Sequence, residues 1–389
     1  MKESRNKNIL IFLIVLIVIA LLVVVIRNTS NDNNDNNVND NNTNNENSND
    51  NDISNECSHK FDETIIASTC EVKGYTQYKC QKCEYSYNDN YTELSDHNFI
   101  NGICSFCSEY DALKFLAYEL DSQTNTYIVT SAYSGIIKTT IPSLYNGLPV
   151  SEINSGVFKG NNSLEKIVIS ENVKRIHSET FMFCTKLTDV VFLNNSKLEY
   201  IDHWSFAYSS QLRNIEIPQS VIQIGGSAFY ECTSLTSITI PNSVTTIESQ
   251  TFVGCRNLKE VKFNIGLKVI EEVAFSGCAL TEINFPDTLE KIERQAFNNN
   301  KNLTKVMLPK SIMDIHDEVF LNCKSLTNIF YKGAKEDWKN INLPSVFTIA
   351  WATYSEPEKY AYVYYYKEDF PTDNSRYWYY DENNDIIIW

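Results

Sequence analysis

Positive charge is scarce in this 389-residue chain, where 33 Lys and Arg stand against 49 Asp and Glu for a net charge of −16. That balance excludes a nucleic-acid partner, because a phosphate backbone calls for a surplus of cationic side chains. It equally excludes docking on an anionic lipid surface. Histidine is rare too, with five in the whole chain. There is no nucleophile elbow, no phosphate-binding loop and no His-Glu-x-x-His pair. Together these absences point away from an enzyme.

The first feature present is an apolar run. Residues 9–26 contain no charge and no helix breaker, and at 1.5 Å per residue they span about 27 Å, close to the ~30 Å hydrocarbon core of a bilayer. Lys2, Arg5 and Lys7 precede the run, which predicts a cytoplasmic N-terminus and an exported remainder. A cleaved leader is the rival reading. The run is long for one, and it exits through Val25, Ile26, Arg27 and Asn28 with no small-residue cleavage site and no Cys to accept a lipid. The expectation is therefore a single-pass signal-anchor in the cell membrane. Residues 27–56 are dominated by Asn, Asp, Ser and Thr, with only Val38 and Ile53 to bury, so they predict a disordered tether.

Beyond residue 150 the sequence keeps a beat. Phenylalanines fall at Phe158, Phe181, Phe206, Phe229, Phe252, Phe275, Phe297 and Phe320, 22 to 25 residues apart. Leu164, Leu187, Leu212, Leu235, Leu258, Leu280, Leu303 and Leu326 follow in step. Cys184, Cys232, Cys255, Cys278 and Cys323 each lie three residues after their Phe, with Ser209 and Asn300 in the two gaps. Such a period means stacked units, each too small to hold a core alone. In the repeat LTSITIPNSVTTIESQTFVGCRN, Ile238 and Ile240 alternate inward along a short strand with Ser237 and Thr239 outside. Pro241 ends that strand, since it has no N–H for a ladder bond. Val244 and Ile247 then face inward from the opposite side, and Phe252 and Cys255 close the turn from a short helical or irregular segment. The Cys column reads as small buried filler.

This repeat resembles that of the BspA-like leucine-rich-repeat surface proteins, whose pattern looks like LxxIxIPxxVxxIxxxAFxxC, over residues 137–328. YIVTSAYSGIIKTTIPSLYNGLPVSEI is similar to that family's first turn. IFYKGAKEDWKNI and the closing aromatic stretch are similar to its end. The resemblance implies a β-rich repeat solenoid of about eight turns of about 23 residues, and a surface protein that binds an unknown protein or cell-surface ligand without catalysis.

Six further cysteines precede the repeats: Cys57, Cys70, Cys80, Cys83, Cys104 and Cys107, accompanied by His59 and His97. Two Cys-x-x-Cys pairs twenty residues apart, Cys80/Cys83 and Cys104/Cys107, approach the spacing of a zinc ribbon, so a structural zinc ion is the expected cofactor. Disulfides are the alternative in an exported segment. Either would staple a stretch with little apolar content. The layout expected is residues 1–8 as a cytoplasmic tail, 9–26 as the transmembrane helix, 27–56 as linker and 57–107 as a zinc-ribbon-like module. Residues 108–328 form the solenoid with its N-terminal cap, and 329–389 an aromatic C-terminal cap. Trp338, Trp351, Trp378 and Trp389 in that last segment read either as a lid on the open core or as sugar-stacking faces.

The repeat histidines cannot act together across the array. His177 and His316 are six turns apart, about 29 Å at one strand spacing per turn. The outward strand positions Lys166, Asp189, Asn214, Ser237, Glu260, Glu282, Lys305 and Asn328 show neither a charge stripe nor an aromatic row.

Overall fold

The computed structural model describes residues 59–343 and 362–388, the latter without residues 370, 372, 374, 382 and 384. The apolar run 9–26, the linker to residue 56, Cys57, Trp351 and Trp389 lie outside the described residues. The chain divides into Met1–His59 and Lys60–Trp389, and the second unit is described here. Among the described residues no helix is long and apolar enough to cross a membrane.

Two sheet walls and a bend make up each turn. The outward wall is built of parallel strands in register. Lys138–Ile141, Lys166–Ile169 and Asp189–Phe192 pair at one end, and Glu282–Asn284, Lys305–Leu308 and Asn328–Tyr331 at the other. The facing wall is a ladder of two-residue strands, among them Thr246–Ile247, Val269–Ile270, Lys291–Ile292 and Asp314–Ile315. In each, the β-branched second residue points inward and is buried, as period-two alternation requires. One continuous core runs from Leu116 to Ile341.

The array has about nine turns, one more than the Phe landmarks count. The outward strand of the last turn, Asn328–Tyr331, is followed by the helix Lys335–Trp338 in place of a Phe-bearing bend. There Trp338 packs edge-on against Tyr331, with ring centroids 5.2 Å apart.

The bend is more regular than a helical or irregular segment. The eight Phe rings stack as a column with centroids 5.1 to 5.7 Å apart. Alternate N–H groups around each Phe before the last donate to the next turn, as Gln250 does to Glu272, Phe252 to Ala274 and Gly254 to Ser276. Residues two before and two after the Phe take left-handed backbone, as at Gln250 (φ 62°) and Gly254 (φ 72°). The bend is thus a third hydrogen-bonded wall.

The N-terminal segment carries two small sheets. Strands β1 (Phe61–Ile66), β2 (Tyr75–Cys80) and β3 (Ser86–Asp89) form an antiparallel three-stranded sheet. Strands β4 (Phe99–Ile100), β5 (Ile103–Cys104) and β6 (Glu109–Tyr110) are antiparallel neighbours, and β6 pairs in parallel with β9, the first outward strand Lys138–Ile141. The boundary expected at residue 107 therefore falls inside a sheet shared with the solenoid. Strands β7 (Leu116–Asp121) and β8 (Thr126–Ala132) edge the facing wall of the first turn.

Candidate functional site

Four candidate ligands converge at the junction of β4–β6 with the first turn. Asn101 and Gly102, both left-handed, reverse β4 into β5 as Asn-Gly hairpins do, and so set Cys104 at the strand end. Ser108, also left-handed, bends the chain after Cys107, with its N–H donating to the Cys104 carbonyl at 3.1 Å. Cys70 stands in a turn closed by the Thr69 N–H to the Val72 carbonyl at 2.8 Å. The ligand atoms of Cys70, His97, Cys104 and Cys107 all lie within 4.8 Å of one another. Cys70 Sγ is 3.7 Å from Cys104 Sγ, and Cys107 Sγ is 3.3 Å from His97 Nδ1. The far side of the imidazole is held: His97 Nε2 lies 3.0 Å from a Glu109 carboxylate oxygen. The other oxygen of Glu109 accepts from the Thr140 hydroxyl on β9 at 2.6 Å. Burial raises the Cys104 thiol, but N–H groups of Cys107 and Phe106 directed at its sulfur outweigh that and hold it down at about 6. Burial pushes the Cys107 thiol up to about 12.

The expected ribbon pairing is not the one formed. Cys80 ends β2 and Cys83 lies on the β2–β3 connection, away from the β4–β6 sheet of Cys104 and Cys107, and the two do not join their group. Around Cys80 the chain does make a knuckle-like turn, with the Lys82 N–H donating to Cys80 Sγ at 3.4 Å. His59 is exposed and closes the preceding unit, while Cys57 lies outside the described residues. Cys70 and His97 belong to no Cys-x-x-Cys motif, so spacing alone could not select them.

The repeat cysteines do more than fill space. Each donates its S–H to the carbonyl of the Phe one turn back: Cys184 to Phe158, Cys232 to Phe206, Cys255 to Phe229, Cys278 to Phe252 and Cys323 to Phe297, at 3.0 to 3.2 Å. Ser209 donates its hydroxyl to Phe181 at 2.9 Å, and the Asn300 amide donates to Phe275 at 2.8 Å. The column is a row of donors. The signal lay in the replacements, since Ser and Asn share with Cys a short donating side chain and not apolarity.

Histidines of the repeats pair with carboxylates. His177 Nε2 is 2.6 Å from Glu152, His316 Nε2 is 3.3 Å from Asp314 and His203 Nδ1 is 3.7 Å from Glu248. On the outward wall, Lys138, Lys166 and Asp189 stand in one register row, Ser237 and Glu260 in another, and Glu282, Lys305 and Asn328 in a third. Near its C-terminal end this wall turns apolar at Met307 and Phe330, and the final strands cover it. Fully buried Trp378 packs on Phe330 with centroids 5.9 Å apart and donates Nε1–H to the Tyr331 carbonyl at 3.0 Å. Trp378 is therefore part of a cap. A cleft of about 420 Å³ opens beside that cap, lined by Glu282, Asn284, Lys305, Met307, Tyr380 and Asp385 among others. On the bend wall, spacing did not reveal a partly exposed aromatic group in which Phe183 stacks on Tyr208 at 4.6 Å and Trp204 meets Tyr230 at 5.3 Å.

Short parallel strands on two walls, joined by a hydrogen-bonded bend around an unbroken apolar column, define a leucine-rich-repeat β-solenoid. Residues 105–235 and 222–343, more than half the chain together, match the BspA type leucine rich repeat region in six copies. The chain belongs to that family. It is similar in structure to a leucine rich cell surface protein from Faecalibacterium prausnitzii, at 25% identity and TM-score 0.49 over 56% of this chain and 69% of that one. A T. pallidum leucine rich repeat protein aligns at 26% identity and TM-score 0.35, covering 56% of this chain and 79% of its own. The pneumococcal vaccine antigen PcpA aligns at 19% identity and TM-score 0.33, covering 78% and 94%. Comparison with curated proteins finds no match.

Proposed function

We propose that this chain is a membrane-held surface protein that binds a protein or other cell-surface ligand through the outward strand wall of its solenoid, without catalysis. The observation that carries the reading is the register of that wall. Lys166, Asp189, Asn214, Ser237, Glu260 and Glu282 are exposed in successive turns and set the same side of the wall facing solvent. Rows of this kind build extended contact area in place of a single pocket, so affinity is spread over several turns. Surface attachment rests on the apolar run 9–26 with its basic flank.

Cells carrying the full chain should retain a partner that cells carrying a chain without residues 235–279, two turns, do not. The retained partner should come off chemically unchanged. Turnover of the partner, stopped by one carboxylate substitution that leaves the fold intact, would overturn the reading. A carbohydrate ligand is the second reading, and the aromatic group of Trp204, Tyr208 and Tyr230 favours it, since ring faces stack on sugars. In that case Tyr208→Ala should abolish binding while Glu260→Ala leaves it intact.

A further inference from the structure

We infer that Cys70, His97, Cys104 and Cys107 together hold one structural zinc ion that fastens the N-terminal segment to the first turn of the solenoid. The donor set is three thiols and one imidazole, the soft, nitrogen-containing set that selects zinc in a closed tetrahedral site. The spacing fits. With Zn–S bonds of about 2.3 Å and Zn–N bonds of about 2.05 Å, a tetrahedron has S···S edges of about 3.8 Å and S···N edges of about 3.6 Å. The sulfurs of Cys70 and Cys104 are 3.7 Å apart, and Cys107 Sγ and His97 Nδ1 are 3.3 Å apart. A disulfide would have to draw one sulfur pair in to about 2.05 Å and would leave the other two donors without a purpose.

Beyond the four donors, the surroundings are those of a metal-bound histidine. Glu109 holds His97 Nε2 at 3.0 Å, which turns Nδ1 toward the sulfurs. Glu109 is in turn tied to Thr140, so the site is linked through His97 and Glu109 to β9, the solenoid's first outward strand. Backbone N–H groups of Phe106 and Cys107 point at Cys104 Sγ, as in a Cys-x-x-Cys knuckle carrying a thiolate. This explains how a segment whose strands β1 and β3 are mostly exposed stays on the end of the solenoid. On binding, zinc displaces the thiol protons to solvent, so loading weakens as pH falls.

The full chain, purified in detergent under reducing conditions without chelator, tests this by elemental analysis and by cobalt(II) replacement. Cys104→Ser should lower bound zinc by about one equivalent per chain relative to the parent. His97→Cys should keep that equivalent and shift the visible cobalt bands from a three-sulfur, one-nitrogen pattern to a four-sulfur one. Glu109→Gln should keep zinc and lose it faster to a competing chelator, about 10-fold or more. Zinc content unchanged by Cys104→Ser would overturn the assignment. So would cobalt bands indifferent to His97→Cys, or a Cys70–Cys104 cross-link in peptide maps of the folded, metal-free chain.

Discussion

Cysteine at the third position after each Phe answers a backbone need. The bend sends alternate N–H groups forward to the next turn, and the Phe carbonyl takes a hydrogen bond from the following turn's Cys, Ser or Asn, at Phe229 beside one from the Cys232 N–H of its own turn. Cys255→Ala should therefore cost about 0.5–1.5 kcal/mol more than Cys255→Ser, because Ser keeps the second hydrogen bond to the Phe229 carbonyl and Ala removes it while the Cys232 N–H stays. Chemical denaturation of the two variants checks this, and equal losses would show that only volume matters. Burial pushes the thiols of Cys184 and Cys323 from an ordinary value of about 9 up to about 12. Folded thiols then stay protonated where unfolded ones ionise, so the unfolded state holds fewer protons. This contribution is whole below about pH 9 and is lost as pH rises toward 12. Denaturation midpoints should fall across that window, and fall less in a chain with Ser at both sites. Buried position was legible in the sequence at these residues. The hydrogen bond was not, because it joins residues 26 apart through a carbonyl that no side-chain pattern marks.

At the scale of elements, the strands were the legible part. Alternating Ile and Val at a fixed period place both walls, and Pro at the strand end marks the exit. The bend was not legible, since its left-handed positions are occupied by Glu, Gln, Trp and Val as well as Gly. Val273 is the most strained of these, a β-branched residue at φ 52°. Val273→Gly should raise stability, or leave it within about 1 kcal/mol, whereas glycine in an ordinary strand or helix interior destabilises. A drop of several kcal/mol in calorimetry would contradict the strain reading. Phe252→Ala, which breaks the ring column, should cost about 3–5 kcal/mol. Trp378→Ala should cost a similar amount and uncover Met307 and Phe330, seen as new binding of a hydrophobic dye. The Cys/His group was half legible. Its Cys104/Cys107 pair is a motif, but Cys70 and His97 reach it only because β6 docks on β9 and turns the segment back on itself.

For the whole molecule, the sequence period and the family match agree on a repeat array, and the proposed anchor at residues 9–26 would hold that array outside the cell. Protease added to intact cells should remove the solenoid and leave residues 1–26 in the membrane. Solenoid found in the medium with a new N-terminus near Arg27 would mean a cleaved leader. The most direct measurement is the affinity of the full chain for its captured partner across Lys166→Ala, Asp189→Ala, Glu260→Ala and Glu282→Ala. Distributed binding predicts that each variant weakens affinity by about five-fold or less and that losses from distant turns add. Loss of all binding from one of these substitutions, with the other three neutral, would place the function in a single pocket and contradict the account.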